Sequence, residues 1–352
     1  MKIAIVLVNF NGLSDTIECL ESISKIDDCQ VTTIVVDNAS TNNEADAIAE
    51  RFDWVTVISS PENTGWSGGN NIGIRQALTG SVEPPLTCRL AQNHSHQPSD
   101  VVLLLNNDTV VDPTLVERLQ YAFAQGFDIV GPVINEYHDR EVVQTEGVRF
   151  NPLSSAEFFQ PIRLDQSDQD TISPVDIVNG CAVAIARRVF EKIGLIDERF
   201  FLIGEESDFC LRAQAAGFKS GVLHQSLVFH KHSVSFQRAG QPLQRYYGSR
   251  NLWLLLNRHS GVLGRPGVWA SRRAYLRHIY HMYCHERELG NRHGATAVAI
   301  GVADAFLGRL GHQPIRPSYL SRGLEILATA AWRIRGGRVQ QTLQNGMVVS
   351  RP

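Results

Sequence analysis

The chain has 352 residues, 43% of them hydrophobic and 20% charged, with a formal net charge of −3. This is an ordinary globular composition, long enough for one large domain or for a domain with an appendage. The near-neutral charge excludes nucleic-acid binding by bulk electrostatics.

Ile3–Val8 reads as a buried strand, and Asn9-Phe10-Asn11-Gly12 as the loop after it. Those six apolar residues are too few for a signal sequence. Ser14 or Asp15 is placed to cap a helix whose apolar stripe is Ile17, Leu20 and Ile23. Val31–Val36 is a second strand and runs into Asp37-Asn38-Ala39-Ser40. A helix over Glu44–Phe52 and a strand over Trp54–Ile58 follow. A Gly/Asn-rich loop from Asn63 to Asn71 then opens a helix to about Leu78. This alternation predicts an α/β fold with a largely parallel sheet.

Residues Gly80 to Ser99 interrupt the pattern. Pro84-Pro85 and the polar run Gln92–Pro98 read as a mobile surface insertion. Val101–Leu105 is a buried strand ending in Asn106-Asn107-Asp108. Pro113 opens a helix to about Ala124, and Ile129–Val133 is another strand. Val142–Phe150 and Phe158–Leu164 suit a hairpin, with the acidic loop Asp165–Asp170 at its edge. Val175–Val178 leads to Asn179-Gly180, and Cys181–Ile185 continues as a strand. Helices over Arg188–Ile193 and Glu205–Ala216 precede a last strand, Val222–His230.

Beyond about Gln237 the sequence turns helical and basic, with helices expected over Leu243–Asn257, Pro266–Glu288, Ala295–Leu310 and Pro317–Arg335. From Arg245 to Arg338 there are fifteen arginines and four acids, Glu286, Glu288, Asp304 and Glu325. The division expected is 1–237, a basic helical region 238–336 and a disordered tail 337–352. The arginines suit solvated helix faces or an anionic partner such as a membrane surface. No apolar run approaches the roughly 18 residues of a membrane span, so any membrane contact is expected to be peripheral. The six cysteines show no CxxC or zinc spacing and read as reduced thiols of a cytoplasmic protein.

Four strand ends collect polar groups: Asn9/Asn11, Asp37, Asn106-Asn107-Asp108 and His230. In an open parallel sheet such ends share one rim, where ligands bind. Asp37 suits either an Asx turn or a carboxylate on a base or ribose. The loop over Gly65–Gly73 lacks the order of a dinucleotide fingerprint; its glycines suit close approach of backbone to a nucleotide. Trp66 suits core packing or a lid, with core packing the first choice. Asp108 reads as a metal ligand, since a cation on a diphosphate keeps waters and needs one or two carboxylates. His230 suits a metal ligand, a phosphate contact or a solvent-facing residue. Glu205, Glu206 and Asp208 open one helix. Asp208 and Arg212, four apart, suit a structural ion pair. That leaves the repelling pair Glu205 and Glu206 for chemistry, one with its pKa raised toward that of a base.

Taken together, several pieces resemble the inverting glycosyltransferases of family 2 with a GT-A fold, especially the rhamnosyltransferase-like branch. They are Val8–Gly12, Val35–Ser40, Asn63–Asn70, Leu104–Asp108, Val178–Cys181, Gly194–Phe201, Gly204–Arg212 and His230, in the family's order over residues 1 to about 235. The resemblance implies that Asp37 contacts the nucleobase. Asn9, Asn11, Asn63, Gly65, Gly68 and Asn70 would line the nucleotide pocket, with Asn106 and Asn107 beside it. Asn106-Asn107-Asp108 stands for the family's D-x-D, Asp108 binding Mg²⁺ or Mn²⁺ with His230. Glu206 matches the catalytic base, with Glu205 next to it. The implied reaction moves a sugar, with L-rhamnose from dTDP-rhamnose as first choice, to a glycan or polyprenyl-diphosphate-linked acceptor. The setting implied is cell-wall or lipopolysaccharide synthesis at the inner face of the plasma membrane. The C-terminal helices suit either a lipid-borne acceptor or a homodimer interface.

Two other readings compete. A sugar-phosphate nucleotidyltransferase needs a Gly-rich loop with Arg and Lys after the first strand, which Asn9–Gly12 lacks. A non-catalytic nucleotide-sugar-binding protein has no need of the acids at 205–208. The lack of membrane helices and of a Q-x-x-R-W in the helical part argues against a processive synthase.

Overall fold

The computed structural model describes residues 1–91, 98–154, 157–165, 170–231 and 241–347. Most of the polar run Gln92–Pro98, the middle of the loop Asp165–Asp170 and most of the expected boundary at 237–242 lie outside the described residues. The chain divides into two compact units, residues 1–151 with 157–235, and residues 152–156 with 236–352.

The first unit builds β1 (Ile3–Asn9), α1 (Leu13–Ile23), β2 (Val31–Asn38), α2 (Glu44–Arg51), β3 (Val55–Ser60) and α3 (Gly65–Thr79). Then come β4 (Thr87–Arg89), β5 (Val101–Leu105), β6 (Thr109–Val111), α4 (Leu115–Ala124), β7 (Ile129–Glu136) and β8 (Val143–Thr145). β9 (Val148–Phe150), β10 (Phe159–Pro161), β11 (Ile172–Pro174), β12 (Ala182–Ala186), α5 (Arg187–Ile193), α6 (Glu205–Ala215) and β13 (Ser220–His230) complete it.

The main sheet runs β11-β13-β7-β12-β5-β1-β2-β3-β4, with β6 on β13 and β8 on β7. β1 pairs in parallel with β2 and β5, and β2 with β3. β12 is antiparallel to both β5 and β7, and β7 is parallel to β13. The long strands β1, β2, β3, β5, β7 and β13 therefore all point one way. Their C-terminal ends, with Asn9, Asp37, Asn106 and His230, share one rim, as the sequence pattern predicts. β5 and β12 are buried at every position, as strands covered on both faces must be.

The glycines after Asn63 have a different role from the one expected. Helix α3 already begins at Gly65, so Gly65–Asn70 form its first turns and not a loop. A Cβ on Gly73 would lie 2.3 Å from Val6 Cγ1, and one on Gly69 2.8 Å from Val8 Cγ1. These glycines let the helix sit directly on β1. Gly68 is buried under the Thr64 side chain, 2.5 Å from where its Cβ would be.

Other boundaries also moved. Part of the expected insertion pairs with β3 as strand β4, because its residues Thr87–Arg89 complete an otherwise open sheet edge. β9 and β10 form the expected hairpin, but β8 joins β7 instead. Helix α1 is entered from Gly12 with no side-chain cap, so neither Ser14 nor Asp15 caps it.

The second unit contains α7 (Gln241–His259), α8 (Gly264–Glu288), α9 (Arg292–Phe306) and α10 (Tyr319–Met347). Helix α10 continues through residue 347, past the expected end near Gly336. Tyr246, Tyr247, Tyr275 and Tyr283 are buried in this unit. Two of its arginines are structural. Arg245 pairs with the buried Glu286 over 2.6 Å. Arg250 is buried, lies over the Tyr247 ring at 4.7 Å and donates to the Gly311 carbonyl.

Candidate active site

The rim is organised from β1 outward. Asn9 is fully buried, and its Nδ2 lies within 2.9 Å of both Asp37 Oδ1 and Glu44 Oε2 and 3.1 Å from Ser40 Oγ. Its Oδ1 accepts from Thr16 Oγ1 at 2.8 Å. One amide thus holds two carboxylates, Asp37 and Glu44, that would repel each other without it. Asn9 stands behind Asp37 and does not itself line an open pocket. Asn11 has a positive φ of 51° and accepts from the Thr41 N–H and Oγ1, each at 2.9 Å. It ties the loop after β1 to the loop after β2.

Asn38 does the same for the next crossing. Its Nδ2 donates to Asn63 Oδ1 at 3.1 Å and to the Gly65 carbonyl at 3.0 Å. Its Oδ1 accepts from the Thr64 N–H and Oγ1, both at 3.0 Å. Asn63 Oδ1 also takes the Gly65 N–H at 2.9 Å. Asn70 is buried and donates to the Trp66 carbonyl one turn back.

Trp66 is half-buried, not core. Its indole N–H donates to Asn106 Oδ1 at 3.1 Å. Asn106 N–H donates to the Cys181 carbonyl, and Asn107 Nδ2 to Thr16 Oγ1 at 2.8 Å. Asn106 and Asn107 are therefore held from α3, β12 and α1 at once. Cys19 and Cys181 are buried beside this strand end, and burial pushes the Cys19 thiol up to about 12. All six cysteines are free.

Asp108 is buried, with Oδ1 3.2 Å from His230 Nε2. His230 Nδ1 is 2.7 Å from Gln144 Oε1. Gln144 Nε2 in turn donates to Glu136 Oε1 at 3.3 Å. The glutamate fixes which way the amide points. The amide oxygen then takes the proton on Nδ1, which leaves Nε2 facing Asp108. Such an arrangement suits a cation. The 3.2 Å gap matches the edge of an octahedron with bonds of about 2.1 Å, roughly 3 Å. Among the described residues no group of three or more His, Cys, Asp or Glu forms a metal cluster, so the remaining ligands would come from water and a bound diphosphate.

Helix α6 opens with the acids. The segment before it is strained: Phe201 and Ile203 have φ of 65° and 71°, and Gly204 has φ of 90°. A β-branched residue at positive φ is rare, and such strain collects at functional sites. The segment is held from outside. Asn71 exchanges hydrogen bonds with the Ile196 backbone and reaches Glu198, and Ser67 N–H donates to the Phe201 carbonyl at 3.3 Å. A Cβ on Gly65 would lie 2.4 Å from that same carbonyl, which requires glycine there.

Asp208 is fully buried and pairs with Arg212 Nε at 2.8 Å; Arg212 also donates to the carbonyls of Ile193 and Leu195. This is the structural ion pair the spacing predicts, and it ties α6 to the end of α5. Glu205 is buried, and its Oε2 has no hydrogen-bond partner among the described residues. Burial, with Glu206 beside it, holds the Glu205 carboxyl well above the usual range. Glu206 is more open and takes a hydrogen bond from Ser207 Oγ at 3.1 Å. Burial raises its carboxyl too. A Cβ on Gly180 would lie 3.2 Å from Glu206 Cβ and 3.4 Å from Trp66 Cζ2. Gly180 therefore lets Glu206 and Trp66 stand together, and Trp66 reaches Asn106.

Asn38, Glu44, Trp66, Gly180 and Gln144 were not singled out as site residues from sequence. Asn38 and Gly180 sit inside motifs quoted above. Glu44 and Gln144 carry no local signal.

The strand rim with polar ends, the acid–histidine pair and the strained turn into paired carboxylates are carried on a mostly parallel sheet of the GT-A glycosyltransferase type. A family model described as "Glycosyltransferase like family 2" matches residues 2–249. The chain belongs to that family and is a glycosyltransferase. The low-salt glycan biosynthesis hexosyltransferase Agl10 of Haloferax volcanii is 27% identical over 262 residues, spanning 72% of this chain and 75% of that protein. The N-acetylglucosaminyl-diphospho-decaprenol L-rhamnosyltransferase of Mycobacterium tuberculosis is 24% identical over 275 residues, spanning 72% and 83%. The mannosyltransferase PcManGT from Pyrobaculum calidifontis, solved with GDP-Man and Mn²⁺, shares the fold with a TM-score of 0.51 at 16% identity, covering 99% of this chain and 85% of that one.

Proposed function

We propose that this glycosyltransferase moves a hexose from a nucleoside-diphosphate donor to an acceptor hydroxyl in one inverting, in-line displacement. The observation that carries the reading is the unequal pair at the start of α6. Glu205 is sealed, and burial beside Glu206 makes it hold its proton more tightly. Glu206 is half-buried, its carboxyl is raised by burial, and it stands beside Gly180 and Trp66 on the way to Asn106. A carboxylate with its pKa raised toward neutrality is a better proton acceptor at working pH, and general base catalysis contributes about 10²–10⁴-fold.

Asp37, fixed by Asn9, contacts the base or ribose. Asn11, Asn63, Gly65, Gly68 and Asn70 shape the backbone around the nucleotide, and Asn106 and Asn107 floor it. Asp108 and His230 would hold Mg²⁺ or Mn²⁺. Held there, such a cation would supply charge neutralisation for the departing diphosphate. Glu206 takes the acceptor proton, while Asp208 and Arg212 keep α6 in place.

dTDP-L-rhamnose is the first-choice donor and a polyprenyl-diphosphate-linked glycan the first-choice acceptor. The name of the mycobacterial relative supports L-rhamnose and the polyprenyl-diphosphate-linked acceptor. The test is a panel of nucleotide sugars screened with and without Mn²⁺ for protection against thermal unfolding. A metal-dependent rise in Tm with dTDP-rhamnose supports the reading. A rise with every donor except dTDP sugars overturns the choice of rhamnose.

A further inference from the structure

Helix α10 is inverted in polarity. A helix on a protein surface turns its apolar stripe inward. Here the inward positions are Ser321, Leu324, Glu325, Ala328, Thr329 and Trp332, which recur with helical period and are buried or half-buried. Their contacts are largely polar. Glu325 Oε1 accepts from Thr296 Oγ1 at 2.8 Å, Thr329 Oγ1 bonds the Tyr283 hydroxyl at 2.7 Å, and Trp332 lies under the Arg287 guanidinium at 5.1 Å. The outward positions are the apolar ones. Tyr319 is 93% exposed, Ile326 and Leu327 69% each, and Ile334 59%; Ala330 and Ala331 lie between them.

At about 100° per residue these side chains fall within an arc of roughly 140°. Arg322 and Arg333 lie at one margin of that arc, and both are exposed. The one acid beside that margin, Glu325, is half-buried and turns its Oε1 inward to Thr296. Helix α8 keeps an ordinary inward face of Ala274, Tyr275, Ile279, Tyr283 and Cys284, and also exposes Trp269 and Leu276 among the exposed Arg265, Arg273 and Arg277.

The charges choose between occupants. An antiparallel pairing of two copies about the centre of this face would set Arg322 of each against Arg333 of the other, four arginines against the two half-buried Glu325 side chains already bonded to Thr296. An anionic bilayer gives both groups a partner: headgroups for the arginines and the acyl boundary for the apolar arc. No described helix is long and apolar enough to cross a membrane, so the contact lies in the plane of the interface. We infer that the outward face of α10 is a docking surface for an anionic lipid bilayer. The inference is independent of which donor or carboxylate the transfer uses.

The test is co-sedimentation of the full chain with vesicles of phosphatidylcholine alone and with 30 mol% phosphatidylglycerol, at low and high salt. The expected result is binding to the anionic vesicles only, weakened by salt. Ile326→Ser with Leu327→Ser, and separately Arg322→Glu with Arg333→Glu, should each weaken binding by roughly tenfold or more. Unchanged Tm would show that the variants fold. No binding to anionic vesicles by wild type, or equal binding by both variants, overturns the inference. So does a wild-type dimer in solution that Ile326→Ser with Leu327→Ser dissociates, since the occupant is then a second copy.

Discussion

The indole nitrogen of Trp66 donates to Asn106 Oδ1 over 3.1 Å. One bond thereby joins the first turn of α3 to the end of β5. It also fixes the amide: with Oδ1 turned to the indole, the Asn106 NH₂ is left to face a donor. The ring carbon Cζ2, on the same edge as the indole nitrogen, lies by Gly180, next to Glu206. Trp66 thus spaces the floor of the donor site from the proposed base.

Trp66→Phe keeps most of the ring and removes the donor. A single lost hydrogen bond costs about 1 kcal/mol, so donor affinity should fall roughly fivefold with little change in Tm. Calorimetric titration with donor measures it. An unchanged Kd would mean that Asn106 is positioned by the Cys181 carbonyl alone.

The raised carboxyls give a pH dependence with a definite sign. Glu206 is protonated below its raised pKa, so kcat/KM should fall with decreasing pH at a value above the usual glutamate range. Stability runs the other way. Glu205 holds its proton longer in the folded chain than in the unfolded one. Its favourable contribution is complete below the ordinary glutamate pKa and is lost as pH rises through the raised value. Glu205→Gln should remove that alkaline decline, which a series of Tm values against pH would show.

Asn9→Asp places a third carboxylate between Asp37 and Glu44, both now within 2.9 Å of its amide nitrogen. Loss of the donor and added repulsion should cost about 3 kcal/mol at neutral pH. The loss should shrink in acid, where the group can protonate. Urea unfolding at pH 7 and pH 4 distinguishes this from a simple packing defect, which would cost the same at both.

Gln144→Leu removes the acceptor that fixes the His230 tautomer. Loss of such an outer partner typically weakens metal binding by about 10- to 100-fold. Titration of Mn²⁺ into the protein with nucleoside diphosphate, followed by paramagnetic resonance, reads it directly. Wild-type affinity would place the metal elsewhere.

Much of the site was legible because its chemistry sits at the ends of apolar runs. Val31–Val36 running into Asp37, and Val101–Leu105 into Asn106, mark strand and rim together. Asp208 and Arg212 declare their pairing by their spacing. What the sequence hid is contact between distant segments. Glu44 looks like any acid in a first helical turn, yet its partner is Asn9, 35 residues away. Gln144 lies on a three-residue strand whose pairing with β7 leaves no periodic trace. Gly69 and Gly73 were misread because a glycine that admits a ligand and one that admits a strand look alike in sequence.

The division of labour between Glu205 and Glu206 is tested most directly by release of dTDP from dTDP-rhamnose, with water as the slow acceptor, in wild type, Glu206→Gln and Glu205→Gln. The account predicts that Glu206→Gln loses about 10²-fold or more in rate while the donor still raises its Tm, and that Glu205→Gln, an uncharged near-isostere of a protonated acid, stays within a few-fold of wild type. Wild-type release by Glu206→Gln, or an equal loss in Glu205→Gln, would contradict it.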